Sequence, residues 1–86
     1  MPATSYPTGS CMACSFDREL FRRSGEVLGH ACQADDLSVL LGPAINIKRS
    51  PLGGRNFEYL SEDPYLTGEL AKNYINGVQS QNVASA

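Results

Sequence analysis

Apolar residues recur at helical spacing in two stretches of the chain, and each stretch begins with residues that favour a helix start. In the first stretch, Ser15 is a typical N-cap residue. Asp17 and Glu19 fall in the first turn, where the helix dipole favours acidic side chains. The pattern predicts an amphipathic helix from about residue 16 to about residue 34. Its apolar stripe consists of Leu20, Phe21, Val27, Leu28, Ala31 and Cys32.

The second stretch starts at Asp63 and Pro64, a strong combination because aspartate caps a helix and proline is well accepted at the first helical position. It predicts a helix from about residue 64 to about residue 80. Gly68 and Gly77 are expected to weaken this helix by up to about 1 kcal/mol each. Its apolar stripe consists of Leu66, Leu70, Ala71, Tyr74, Ile75 and Val78.

A nearly continuous apolar run at residues 37–41 lies between the two helices and predicts a strand that is buried on both faces. Residues 1–14 are rich in proline, threonine, serine and glycine, show no period, and predict an extended connection. The order helix, buried strand, long loop, helix is typical of part of a parallel α/β fold. Because one strand cannot form a sheet, the strand and both helix stripes are expected to need partners that the chain does not contain.

The connection at residues 42–63 is the longest irregular stretch. Strand-to-helix loops in α/β units usually have roughly 2–6 residues, and much longer ones often carry function. We interpret it as a substrate-binding loop at the carboxyl end of a barrel strand. Arg55 follows Gly53 and Gly54, which allow a close backbone approach or a positive φ. The guanidinium of this arginine suits the vicinal hydroxyls of a sugar, a carboxylate or a phosphate.

A purely structural role for Arg55 stays open, because three carboxylates lie in or beside this loop: Glu58, Glu62 and Asp63. Residue chemistry alone favours Arg55 as the ion-pair partner of one of them. A glycosidase needs two carboxylates that flank the scissile bond. Helix capping accounts for Glu62 and Asp63, however. Glu58 can neutralise Arg49 and Arg55, so none of the three is expected to be catalytic.

Composition limits the classes of partner. The chain has 86 residues, a net charge of −2 and 42% hydrophobic residues, as expected for one small globular domain with a modest core. This charge predicts neither a nucleic-acid nor a membrane partner, and no apolar run approaches the roughly 20 residues that cross a bilayer. The amino terminus lacks the basic and apolar regions of a signal peptide, so we expect a cytoplasmic location.

The three cysteines, Cys11, Cys14 and Cys32, are too few and odd in number for a disulfide framework. Cys11 and Cys14 have the spacing of a redox or metal half-site, but the chain offers no thioredoxin-like context. Cys32 and His30 make a poor second ligand pair. We therefore expect three small buried thiols, no metal and no cofactor.

The sequence at residues 40–66 closely resembles the amino-terminal domain of family 3 glycoside hydrolases, most strongly that of bacterial β-glucosidases. The resemblance rests on Gly-Arg-Asn-Phe-Glu at residues 54–58 and Ser-Glu-Asp-Pro at residues 61–64. It extends outward to residues 15–20 and 77–81, so that it covers essentially the whole chain.

The resemblance implies that residues 1–86 are a fragment of a (β/α)8 TIM-like barrel, near its second and third β/α units. It implies a retaining β-glucosidase that hydrolyses terminal non-reducing β-D-glucosyl residues. The family's nucleophile, an aspartate, and its acid/base both lie further along the chain. In the family, the arginine of the Gly-Arg pair binds the −1 glucose, which assigns substrate binding to Arg55. The supporting loop and ion-pair residues would be Arg49, Gly53, Gly54, Glu58, Glu62 and Asp63.

The implied partners are a β-glucoside or oligosaccharide substrate in the intact enzyme and the remainder of the barrel. The isolated chain is expected to be inactive. Two alternatives stay open. The chain could be a non-catalytic sugar-binding or structural domain that needs a partner fragment, or a redox or metal protein that uses its cysteines.

Overall fold

The computed structural model describes residues 4–86, which form three helices and two very short strands. No helix in this range is long and apolar enough to cross a membrane. In chain order the elements are α1 (Gly9–Ala13), α2 (Arg18–Ala34), β1 (Val39–Leu40), α3 (Pro64–Gln79) and β2 (Ala84–Ser85).

Helix α2 begins at Arg18, two residues later than predicted, because Asp17 rather than Ser15 is its N-cap. The Asp17 carboxylate accepts hydrogen bonds from the backbone N–H groups of Glu19 and Leu20, at 3.0 and 3.2 Å. Ser15 lies before a turn through Phe16, whose φ is 52°. The Ser15 hydroxyl accepts a hydrogen bond from the Asp17 N–H instead. Two residues with N-cap chemistry stand close together here, and the second of them caps the helix.

Helix α3 spans Pro64–Gln79, close to the predicted range. The Asp63 carboxylate accepts hydrogen bonds from the N–H groups of Tyr65 and Leu66, and Pro64 occupies the first turn. The cap satisfies two of the donors that a helix start leaves free. The loop therefore ends at a fixed point.

Helices α2 and α3 pack against each other through glycine. A Cβ atom added to Gly25 would lie 2.2 Å from the carbonyl oxygen of Tyr74, and one added to Gly77 would lie 2.2 Å from the carbonyl oxygen of Arg22. The two backbones are thus in direct contact, and Gly77, expected only to weaken α3, is required for this approach. The expectation that both helix stripes lack partners within the chain is wrong for the faces that meet here.

Strands β1 and β2 pair in parallel, with Val39 opposite Ala84 and Leu40 opposite Ser85. The expectation of a single unpaired strand is therefore wrong, because the last residues of the chain supply its partner. β1, the long loop, α3 and β2 form a β-α-β unit, the standard connection between parallel strands. β1 is shorter than the predicted strand at residues 37–41. Val39 is 51% exposed, so its predicted burial on both faces is also wrong for this chain.

Two small apolar clusters stabilise the unit. The first contains Ala13, Phe21, Leu60, Leu70 and Ala71, and the second contains Cys32, Val78 and Val83. The side chain of Tyr74 packs against both. The first cluster needs α1, in the stretch predicted to be an extended connection. That prediction is wrong for residues 9–13, which form one helical turn capped by Thr8. Residues 1–3 lie outside the described part of the chain.

Candidate functional site

The long loop leaves the carboxyl end of β1 and returns to the start of α3 without forming a helix or strand. The N–H of Gly42 donates a hydrogen bond of 2.7 Å to the carbonyl oxygen of Ala86, which extends the strand pairing into the loop. Residues 50–58 are then folded into consecutive turns. In these turns Gly53 N–H bonds to Ser50 O at 3.1 Å and Glu58 N–H bonds to Arg55 O at 3.1 Å.

The two loop glycines have different roles. Neither has a positive φ, so the conformational freedom expected of this pair is not used. A Cβ atom on Gly53 would lie 2.8 Å from the side-chain oxygen of Asn56, whose amide nitrogen donates a 2.7 Å hydrogen bond to Ser50 O. Gly54 has no atom within 4 Å of its Cβ position. A Cβ atom at Gly53 would therefore have to displace the Asn56 side chain, whereas Gly54 lies in open space.

Arg55 makes the one ion pair of this loop among the described residues. Its Nε donates to the Glu58 carboxylate, and its Cζ lies 5.9 Å from the centre of the Tyr59 ring. This hydrogen bond raises the pKa of Arg55 and lowers the pKa of Glu58. The Arg55 side chain is 71% exposed, and within residues 4–86 its two terminal nitrogens make no hydrogen bond. The structural pairing considered from the sequence is present, but it occupies only one edge of the guanidinium.

Glu58, the ion-pair partner of Arg55, lies beside the end of the strand. Glu58 lines a cavity of about 240 Å³ together with Gly42, Pro43 and Ala44, which follow β1 closely in the chain. Apolar side chains, including those of Leu60 and Tyr74, form much of the remaining wall. In barrels of parallel strands, active sites are built from the loops at this end of the strands.

The other nominated residues do not join this pair. Arg49 and Glu62 line a separate shallow groove with no ion pair between them among the described residues. Asp63 is engaged in capping α3. The expectation that Glu58 neutralises both arginines is wrong for Arg49, because the side chain of Glu58 is directed to Arg55.

Sequence reasoning missed the contact that holds this loop to α1. Ser10 N–H donates to Phe57 O at 3.3 Å, and the Ser10 hydroxyl lies 2.9 Å from Asn56 O and 3.1 Å from Tyr59 O. The Lys48 ammonium donates to the same hydroxyl. No signal in the sequence links these residues, since Ser10 is 46 positions from Asn56.

The cysteines are also placed differently from the expectation. Cys11 and Cys14, on and just after α1, are exposed, and only Cys32 is buried. The expectation of three buried thiols is thus wrong for two of them, because α1 directs Ala13 rather than a thiol into the core. Within residues 4–86 no three histidine, cysteine or acidic side chains come together as metal ligands would.

Residues 1–86 match the Glycosyl hydrolase family 3 N terminal domain along their whole length. The chain belongs to glycoside hydrolase family 3. This confirms the resemblance carried by the loop sequence. It also agrees with the geometry, in which a polar loop leaves the carboxyl end of a parallel strand.

Relatives in which this segment occurs are much longer. The thermostable β-glucosidase B of Acetivibrio thermocellus is 61% identical over 85 residues, which cover 99% of this chain and 11% of that protein. An exo-α-(1→6)-L-arabinopyranosidase of Bifidobacterium longum is 45% identical over 86 residues, 100% of this chain and 11% of the relative.

The fold has a solved counterpart. The structure of β-glucosidase 3B from Thermotoga neapolitana in complex with α-D-glucose matches with a TM-score of 0.94 at 46% identity, and the match covers 95% of this chain and 12% of that one. The predicted fold class, an α/β segment of a TIM-like barrel, is confirmed.

Proposed function

We propose that the protein containing this segment is a retaining β-glucosidase that releases terminal non-reducing β-D-glucosyl residues. In this proposal residues 42–63 supply part of the −1 subsite. The observation that carries the proposal is the 61% identity with a thermostable β-glucosidase. It is supported by the position of Glu58, the ion-pair partner of Arg55, beside the end of a parallel strand.

Arg55 is the residue that contacts the sugar. The Glu58 carboxylate holds Nε and the Tyr59 ring lies near the guanidinium, so the orientation of its plane is fixed by two neighbours. The two terminal nitrogens then present donors toward adjacent hydroxyls of one glucose unit. A hydrogen bond from a charged donor contributes roughly 1.5–3 kcal/mol. Hydroxyl contacts strengthen as the sugar ring distorts toward the oxocarbenium ion.

The segment contributes no catalytic carboxylate. Glu58 is paired with Arg55, and Asp63 caps α3. Glu19 and Glu26 both pair with Arg22 on the surface of α2. In this proposal the nucleophile and the acid/base come from the rest of the protein, and the isolated chain is expected to be inactive toward nitrophenyl β-D-glucoside.

The experiment uses a chimera in which these residues replace the matching segment of the Acetivibrio thermocellus β-glucosidase B. We compare Arg55→Ala and Arg55→Lys with Arg23→Ala, a control on the exposed surface of α2. Loss of even one charged hydrogen bond should lower kcat/KM on a β-glucoside by about 10- to 100-fold, with part of the loss in kcat. Lysine should not restore activity, because it lacks the planar fork.

Two further readouts separate the alternatives. The anomer formed first, followed by NMR, reports retention or inversion. Parallel assays on a β-D-glucoside and an α-L-arabinopyranoside report the substrate class, since a relative at lower identity has the second activity. A chimera that folds but hydrolyses neither substrate would refute the enzymatic role. Sugar binding by the isolated chain would then favour a non-catalytic sugar-binding domain.

A further inference from the structure

The short helix α1 is attached to the turn that carries Arg55 by three hydrogen-bond contacts of Ser10. Ser10 reaches three successive parts of this turn. Its N–H bonds to Phe57 O at 3.3 Å, and its hydroxyl oxygen lies 2.9 Å from Asn56 O and 3.1 Å from Tyr59 O. All three groups come from the residues that immediately follow Arg55. Ser10 therefore joins this turn to α1.

We propose that Ser10 and Lys48 are positioning residues for Arg55, so that substrate binding at the −1 subsite depends on two side chains that do not contact the sugar. The proposal rests on the proposed function of Arg55. It adds a specific mechanism: the hydroxyl of Ser10 and the ammonium of Lys48 fix the backbone of the turn, and the turn fixes the guanidinium.

The hydrogen-bonding capacity of the two groups explains why both are needed. A serine hydroxyl has one proton to donate and lone pairs to accept with, whereas a lysine ammonium can only donate. The Lys48 ammonium donates to Ser10 Oγ. The single hydroxyl proton is then left for the carbonyl oxygens of Asn56 and Tyr59. Lys48 thus orients the hydroxyl toward the turn.

The backbone of α1 packs closely against the turn at this contact, so the turn has little room to shift toward α1. A Cβ atom on Gly9 would lie 2.4 Å from the carbonyl oxygen of Glu58, so α1 is pressed against the turn directly at the partner of Arg55. The Lys48 N–H also donates to Ser61 O at 3.4 Å, which joins the beginning of the loop to its end. Lys48 and Ser10 therefore tie the start, middle and end of the loop to one helix.

The test uses Ser10→Ala and Lys48→Met in the chimera with the Acetivibrio thermocellus protein, each made with Arg55 present and in the Arg55→Ala background. Removing one hydrogen-bonding side chain should lower kcat/KM on a nitrophenyl β-glucoside by about 2- to 10-fold when Arg55 is present. In the Arg55→Ala background the same changes should have almost no effect, because the residue that they position is absent. Lys48→Arg should restore most of the activity, since it retains a charged donor.

Matched controls are Ser24→Ala on α2 and Lys72→Met on α3, which remove the same groups away from the loop. Circular dichroism and the melting temperature of each chimera verify folding. A loss that is equally large with and without Arg55 would show that Ser10 and Lys48 act independently of it, and would overturn the proposal. Full activity of both variants would overturn it as well.

The failure of the proposed function has a different signature. If Arg55→Ala itself keeps wild-type kcat/KM, then Arg55 does not bind substrate, and both proposals fall together. If Arg55→Ala is impaired and the Ser10 and Lys48 variants are not, the proposed function stands and the positioning role alone is refuted.

Discussion

The contact between α2 and α3 predicts that two alanine substitutions will destabilise the chain while a third, in one of the same helices, will stabilise it. Gly25 and Gly77 lie where the helix backbones touch, and both are buried. Gly68 is on the exposed side of α3, with no atom within 4 Å of its Cβ position. Helix propensity alone would favour alanine at all three positions.

The size of the effect follows from the distances. A Cβ on Gly25 or Gly77 would lie 2.2 Å from a carbonyl oxygen of the other helix, whereas ordinary contacts begin near 3.4 Å. The neighbour is backbone and cannot rotate away, so the helices must separate by about 1 Å. Overpacking of this kind costs about 1–3 kcal/mol, against a propensity gain of up to about 1 kcal/mol. We expect net destabilisation at both sites, and about 0.5–1 kcal/mol of stabilisation for Gly68→Ala.

The assay is urea denaturation of the isolated chain, at a concentration low enough to limit aggregation, followed by its helical circular dichroism. Gly25→Ala and Gly77→Ala should lower the midpoint or abolish the folded baseline, and Gly68→Ala should raise the midpoint. The double variant should lose less than the sum of the two single losses, because one separation of the helices accommodates both methyl groups. If all three substitutions raise the midpoint alike, the backbones of α2 and α3 are not in contact and the glycines do not hold the helices together.

Three other outcomes follow from the structure. The hydrogen bond from Arg55 lowers the pKa of Glu58. The pair therefore stabilises the fold above the ordinary glutamate pKa, and this stabilisation is lost as the pH falls through the lowered pKa. An NMR titration should give Glu58 a midpoint below that of an unstructured glutamate, and Arg55→Ala should remove the difference. A thiol reagent should label Cys11 and Cys14 in the folded isolated chain and Cys32 only after denaturation, and equal labelling rates for the three would contradict their placement. At higher concentration the isolated chain should bind a hydrophobic dye and aggregate, because apolar strand residues are exposed, so a monodisperse monomer that binds no dye at that concentration would show this expectation to be wrong.

The helices were predictable because their signals are local. Asp63 and Pro64 specify the start of α3 by chemistry that acts within one turn, and the structure uses both residues as expected. The start of α2 was less determinate, since Ser15 and Asp17 are both good N-cap residues two positions apart. Which of them caps the helix depends on how Phe16 turns the chain, and no periodic pattern specifies that turn.

The packing between the helices was not predictable in the same way. A search for apolar stripes reads Gly25, Gly29 and Gly77 as gaps, although all three are buried in this structure. Glycine contributes to this interface through what it lacks, because the absence of a Cβ lets backbone meet backbone. That role depends on which helix packs against the glycine, and the sequence pattern of one helix does not identify the helix that packs against it.

In the candidate site, too, the local contact was predictable from the sequence and the long-range contact was not. Arg55 and Glu58 are three residues apart, so their pairing was among the alternatives that residue chemistry offered, and the structure contains it. The attachment of their turn through Ser10 joins positions far apart in the sequence, in a stretch without helical periodicity. The local pair can form wherever the turn forms, but it cannot determine where the guanidinium lies relative to the barrel. In the proposed function that position depends on α1, so variation at residue 10 or 48 is expected to alter substrate binding even where the Gly-Arg motif is unchanged.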